Sequence, residues 1–182
     1  MKGASYMNRR DFLKGVGGMG LAVGLPYYVL EAKGGSTMAK QQDEIPKLKK
    51  SKEEWRELLD PKAYRILFEE ATEPAFSSPL NEEKRTGTYI CAACFNPLFD
   101  SEAKFDSGTG WPSFFRPLEG RIDTKRDFKL IVPRTEYHCA RCGGHQGHVF
   151  NDGPPPTGKR YCNNGLALRF VAEGEPLPEL RT

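Results

Sequence analysis

An excess of either charge is what this chain lacks first: 27 lysines and arginines stand against 24 aspartates and glutamates over 182 residues, a formal net charge of +3. Residues 1–32 hold Lys2, Arg9, Arg10 and Lys14 against Asp11 and Glu31, which leaves the remainder at about +1. A balance that close to neutral excludes a protein that holds nucleic acid through a basic surface. Long apolar runs are also missing. The longest, Gly15 to Leu30, is glycine-rich and falls short of the roughly 20 residues that a spanning helix needs. The domain that follows it is therefore not expected to span a membrane. With 38% hydrophobic residues the core is modest. Histidine is scarce, with three in the whole chain, and so is cysteine, with five. Metal ligation and nucleophilic chemistry consequently have few candidates, and these crowd into one half of the sequence.

The first 32 residues read as a targeting segment, with basic residues ahead of an apolar stretch. Asn8-Arg9-Arg10-Asp11-Phe12-Leu13-Lys14 resembles the twin-arginine export signal, an address read by a receptor. The expectation is a protein exported to a periplasmic or other extracytoplasmic compartment. Residues 33–50 are polar without an apolar period and read as a flexible linker. The domain is expected over 51–172, and the acidic, proline-rich residues 173–182 as a loose tail.

Ser51-Lys52-Glu53-Glu54 fits a capping box at the start of a short helix carrying Trp55, Leu58 and Leu59. Asp60-Pro61 opens a second, with Tyr64, Leu67 and Phe68 on its apolar face. Beyond Pro74 short strands are predicted at Thr88–Ile90, Pro97–Phe99, Phe128–Val132, Thr135–Cys139, His148–Phe150, Arg160–Cys162 and Ala167–Val171, separated by Gly/Pro turns. That texture implies a mainly β domain of antiparallel sheets with a small helical front end.

Cys91, Cys94, Cys139 and Cys142 form C-x2-C-x44-C-x2-C. Each pair presents two sulfurs from one tight turn, and two such turns supply a tetrahedral set for Zn2+. The long spacer implies that the metal joins hairpins remote in sequence. Two readings stand beside it. An exported chain meets an oxidising compartment, where the four thiols can form disulfides. Alternatively Cys139, Cys142, His145 and His148 offer a two-cysteine, two-histidine set, but Gly143-Gly144 alone separates its halves, too little chain to close a tetrahedron without strain.

Cys162 is left over. A free cysteine is often a buried apolar filler. Here Arg160 lies two residues before it and Asn164 two after, on the same face of a presumed strand. Arg160 favours the thiolate, Asn164 adds a neutral donor, and His145 and His148 can fold back beside the sulfur.

Many ordered pieces of the chain resemble the B family of methionine sulfoxide reductases, the peptide-methionine (R)-S-oxide reductases. They include Thr72-Glu73-Pro74, Gly87-Thr88-Tyr89, Gly110-Trp111-Pro112-Ser113-Phe114, Arg134-Thr135-Glu136, both C-x-x-C pairs, His145, Gly147-His148-Val149-Phe150, Asp152-Gly153-Pro154 and Arg160-Tyr161-Cys162. The resemblance implies two antiparallel sheets in a tent-like arrangement and one structural zinc on Cys91, Cys94, Cys139 and Cys142. It implies Cys162 as the nucleophile that takes the sulfoxide oxygen as a sulfenic acid. His145, His148, Asp152, Arg160 and Asn164 follow as catalytic residues, with Asp152 orienting an imidazole. Trp111 and Phe114 belong to the substrate site, Trp111 against the substrate methyl. The partners are oxidised proteins or peptides bearing methionine (R)-sulfoxide. The bland alternative is a non-catalytic zinc module of similar fold that serves as a chaperone or interaction domain.

Four positions depart from the family pattern. Thr109 stands where many members carry a cysteine that resolves the sulfenic acid. An external thiol, either a small molecule or a thioredoxin-like protein, is expected to replace it. Asn163 stands for an aliphatic residue, Gly165 for a frequent serine and Gln146 for leucine. The first two of these are expected to loosen the segment behind Cys162, and Gln146 to change substrate access.

Overall fold

A computed structural model of the chain describes residues 45–129 and 132–182. The segment read as an export signal and most of the expected linker lie outside the described residues. Helix α1 (Lys52–Leu58) starts as its sequence dictates: the Ser51 hydroxyl accepts from the Glu54 amide, and the Glu54 carboxylate accepts from the Ser51 amide. Helix α2 (Pro61–Glu69) has Pro61 in its first turn and Asp60 as cap. Trp55 stacks on Phe68 at 5.2 Å, which packs the two helices together, and Tyr64, Ile66 and Leu67 face the core. Neither helix is long enough to be stable alone. Among the described residues no helix is long and apolar enough to cross a membrane.

The rest is β structure in two antiparallel sheets. The smaller has the order β2 (Pro97–Asp100), β1 (Gly87–Cys91), β9 (Leu168–Ala172). The larger runs β3 (Lys104–Phe105), β4 (Ser113–Phe114), β8 (Arg160–Asn163), β7 (His145–Phe150), β6 (Arg134–Cys139), β5 (Ile122–Asp127). The mainly β, two-sheet architecture with short helices in front is the one expected from the sequence. Phe99 of the small sheet stacks on Phe114 of the large one, ring centroids 4.2 Å apart, and Tyr89 meets Phe114 edge-on at 4.9 Å. Tyr137, fully buried, completes the aromatic core through contacts with Phe99 and Tyr161.

Three expectations need correction. The strand predicted at Phe128–Val132 lies upstream, at Ile122–Asp127. Its central four residues, Asp123 to Arg126, are all exposed, so the strand has no alternating apolar signal, as suits a charged sheet edge. Phe128 and Val132, which drew the prediction, are both exposed. The linker does not run to residue 50 as free chain: the Leu48 amide donates to the Arg141 carbonyl at 2.7 Å, and Lys47 pairs with Asp123. Nor is the tail loose at its end. The Arg181 amide donates to the Cys94 carbonyl, its carbonyl accepts from Arg141 at 2.7 Å, and its guanidinium lies over Phe95. Both ends of the described chain are therefore fastened to the two cysteine turns.

Candidate active site and metal centre

Cys91 ends β1 and Cys139 ends β6, so each C-x-x-C turn leaves a different sheet and the two turns meet. All four sulfurs lie within 4.8 Å of one another. Cys91 and Cys142 are 3.7 Å apart, and Cys94 and Cys139 are 3.6 Å apart. A tetrahedron of sulfurs at about 2.3 Å from a central zinc has edges of roughly 3.8 Å. A disulfide needs about 2.05 Å, and none of the five cysteines is cross-linked. The protonation behaviour fits a cation as well. Packed together, the four thiols cannot all ionise unaided. Cys139 is held far below its ordinary range by the Cys142 thiol and then those of Cys91 and Cys94, while Cys91 is pushed up, first by Cys139. A dication in the centre would replace those shared protons. The Asn96 amide points at Cys139 Sγ (3.4 Å) and the Gln146 amide at Cys91 Sγ (3.5 Å).

The two histidines take no part in this cluster. His145 Nδ1 lies 2.8 Å from Glu136 Oε1, and His148 Nε2 lies 2.8 Å from Asp127 Oδ2. The two-cysteine, two-histidine alternative is thereby set aside.

Sheet register builds the second site. Cys162 on β8 stands opposite Ser113 on β4 and His148 on β7, and His148 stands opposite Glu136 on β6. Side chains alternate along a strand, so Ser113, Cys162, His148 and Glu136 form one row across one face. Tyr161 and Phe114, one position away, turn to the other face and the core. Close approach of β7 and β8 requires glycine at 147, where a Cβ would sit 1.9 Å from the Cys162 carbonyl oxygen.

Cys162 is half-buried, and burial pushes its thiol up. The Arg160 guanidinium opposes that shift, as does the nearby hydroxyl of Thr109. Thr109 is joined through Ser107 to Ser113 by hydroxyl contacts of 2.8 and 2.9 Å. Arg160 is gripped from both nitrogens by Asp152 at 2.9 and 2.8 Å and lies over the Phe150 ring. Asp152 therefore holds the arginine, not an imidazole as expected, and Arg160 holds its carboxyl below the usual range.

The imidazoles are oriented by Glu136 and Asp127, to which sequence reasoning assigned no role. Burial lowers both histidines, and the carboxylate beside each resists that shift. The rings meet edge to face at 5.5 Å. Glu136 also receives Lys125 at 3.3 Å. Asp127 is held far below its ordinary value by the Lys129 amide, then by His148 and Arg134. The available signal was register: Glu136 is in a segment that alternates along β6, and its cross-strand partner is a histidine.

Trp111 is half-buried, and its indole N–H donates to the Glu73 carbonyl at 3.1 Å. Phe114, expected in the substrate site, has no exposure and is part of the aromatic core. Asn164 lies past the end of β8 and does not extend the Cys162 face. Its side chain accepts from the Glu73 amide (3.1 Å) and donates to the Gln146 carbonyl (3.0 Å). Through Glu73 it steadies the support of Trp111. Gly165 does not leave slack behind Cys162. A Cβ there would lie 1.9 Å from the Ser78 hydroxyl, and the Gly165 and Leu166 amides donate to the Glu73 carboxylate. Gln146 is fully buried and turned toward the thiols.

Residues 59–172 match the model of the SelR domain. The chain is 52% identical over 133 residues to a peptide methionine sulfoxide reductase MsrB of Bradyrhizobium diazoefficiens, covering 72% of this chain and 96% of that protein. It is 50% identical over 125 residues to a protein of the same name from Leptospira interrogans, covering 68% and 95%. To the chloroplastic peptide methionine sulfoxide reductase B1 of Arabidopsis thaliana it is 44% identical over 146 residues, covering 76% and 72%. A free cysteine in one row with a histidine and a carboxylate, a four-thiol cluster and a domain-length match of this kind lead to one assignment: the chain belongs to the MsrB family of peptide methionine sulfoxide reductases.

Proposed function

We propose that this protein, a methionine sulfoxide reductase, acts on the (R) epimer in peptides and proteins, through a sulfenic acid on Cys162 that an external thiol resolves. The observation that carries this reading is Cys162 itself. It is a free thiol set between Arg160, the Thr109 hydroxyl and the His148 strand position. Cys162 Sγ, having given up its proton, bonds to the substrate sulfur. The oxygen, protonated once, moves to Cys162 as S–OH while the S–O bond and the transient S–S bond to the substrate sulfur break, so methionine leaves, the cysteine sulfur is oxidised and the methionine sulfur reduced. The oxygen needs a proton as it departs, and His148 or His145, each held by a carboxylate, is placed to supply it. Trp111 offers a flat apolar wall to the S-methyl group.

The Thr109 hydroxyl lies near the Cys162 thiol, but a hydroxyl cannot open a sulfenic acid as a thiol can. The other four cysteines are committed to the metal cluster. A first external thiol then forms a mixed disulfide with Cys162 and releases water. A second thiol frees Cys162 and leaves as the oxidised disulfide. Zn2+ on Cys91, Cys94, Cys139 and Cys142 supplies no chemistry to this sequence and serves the fold. The leader is read as directing the enzyme to an extracytoplasmic compartment, where it repairs oxidised proteins under oxidative stress.

The test uses separate (R) and (S) sulfoxides of a methionyl peptide. Only the (R) peptide is expected to turn over, and only with added thiol. A single dimedone-type adduct on Cys162 is expected after one turnover without it. An intramolecular disulfide in place of that adduct would overturn the external-thiol reading.

The carboxylate behind His148 makes a separate prediction. Asp127 raises the pKa of an imidazole that burial and Arg134 depress. Asp127→Asn removes that support and leaves the Arg134 charge in place, so less imidazolium survives at neutral pH. The alkaline limb of the rate–pH profile should move to lower pH, and the rate at neutral pH should fall about 10-fold. An unmoved limb would assign proton delivery to His145.

A further inference from the structure

Two of the positions that depart from the family pattern touch each other. Gln146 sits between the two histidines on β7, and Asn163 follows Cys162 on β8. Both side chains have no solvent exposure. Asn163 Nδ2 donates to the Asn164 carbonyl at 2.7 Å and to Gln146 Oε1 at 3.4 Å. Asn163 Oδ1 accepts from the Tyr137 hydroxyl at 2.6 Å. Gln146 Nε2 then donates to Cys91 Sγ at 3.5 Å. A buried amide without partners is strongly disfavoured. Here Asn163 satisfies the Gln146 side-chain oxygen, and Tyr137, the Asn164 carbonyl and Cys91 Sγ take up the remaining groups. The result is a continuous polar path, through the core, from a thiolate of the metal cluster to the residue beside the nucleophile.

We propose that Gln146 and Asn163 are paired positioning residues that couple the metal centre to the strand carrying Cys162. The proposal rests on the reading of the four-cysteine cluster as a zinc site. An N–H donor on a ligating thiolate draws charge from the sulfur and makes it slower to take a proton or an oxidant and leave the metal. Asn163 fixes the orientation of that donor. Because Asn163 is bonded to Cys162, an adduct that displaces this part of β8 also displaces Gln146 and its hydrogen bond to Cys91. Chemistry at Cys162 is thereby felt at the zinc, and the state of the zinc is felt at Cys162, as linkage requires.

The test uses the full chain with its metal content measured first. Zinc transfer to a chromophoric chelator is followed before and after alkylation of Cys162 with iodoacetamide, with Cys162→Ser as the control for alkylation elsewhere. In the unmodified sequence, alkylation is expected to speed release severalfold. In Gln146→Leu/Asn163→Ile/Tyr137→Phe, both amides and the hydroxyl that pairs with Asn163 become apolar together, so the fold retains a satisfied core. That variant is expected to release zinc about 10-fold faster than the unmodified protein and to show no response to alkylation. Release at the unmodified rate, or an undiminished response to alkylation, would overturn the coupling. Absence of zinc from the purified unmodified protein would remove the zinc reading and the coupling with it. Bound zinc with unchanged rates would remove the coupling alone.

Discussion

Cys162→Ser should abolish sulfoxide reduction, a loss on the order of 10^4-fold or more, while leaving the fold and the metal cluster intact. The expected size follows from the chemistry. A serine hydroxyl is a far weaker nucleophile toward sulfur, and it cannot accept the oxygen as a sulfenic acid does. No other cysteine substitutes for it: the other four are gathered in a separate cluster that could hold a metal ion. The groups around Cys162 would remain, with Arg160 held by Asp152 and the Thr109–Ser107–Ser113 hydroxyls in contact. These residues tune the sulfur and cannot replace it. Because Cys162 is half-buried and its neighbours keep their own partners, stability should change by less than about 1 kcal/mol. The measurement is initial rate on an (R)-sulfoxide peptide with dithiothreitol as reductant, beside thermal unfolding and metal content. Retained turnover in the serine variant would remove Cys162 from the mechanism.

Cys162 was legible in the sequence because a lone cysteine two residues after an arginine, with two histidines upstream, is a rare grouping. The four-cysteine cluster was legible because C-x-x-C turns act locally. The capping box at Ser51 and the proline start at Pro61 were local too, and both formed as written. The roles that went unread depend on pairing across strands. Asp152 was expected from the resemblance to orient an imidazole, yet it grips Arg160 eight residues away across the β7–β8 connection. The histidines instead take Glu136 and Asp127, carboxylates that only the register of β5, β6 and β7 brings near. Strand β5 was hidden because its exposed edge carries charge without alternation. Asn164 sits two residues beyond Cys162 in sequence, but the chain leaves β8 at Asn163 and turns its side chain to Glu73. Even and odd spacing along a chain predicts a common face only while the strand continues.

Removing the metal, or one thiol that would hold it, should unfold the domain. Cys94→Ser is the sharpest variant, because Cys94 is fully buried and lies 3.6 Å from Cys139. Structural zinc contributes on the order of 10 kcal/mol or more to a small domain's folding, and a domain of this size is typically stable by about 5–15 kcal/mol in total. Loss of the metal is therefore comparable to the whole margin. The placement of the cluster makes the loss global. Its turns end β1 of one sheet and β6 of the other, and Leu48, Arg141 and Arg181 fasten both ends of the described chain to the same turns. The core between the sheets is narrow, resting on Phe99, Phe114, Tyr89 and Tyr137, and has little surplus with which to hold them when the clamp opens. The expected result is loss of the cooperative thermal transition in Cys94→Ser and in chelator-treated protein, with Cys162 becoming fully reactive to alkylation as β8 frays. The contrast with Cys162→Ser separates the two kinds of cysteine. One substitution ends the chemistry in a folded, metal-loaded protein, and the other ends the fold. A chelated protein that kept its transition would show that the sheets hold through the aromatic core alone, and the four thiols would then need another reason to stand within 4.8 Å of one another.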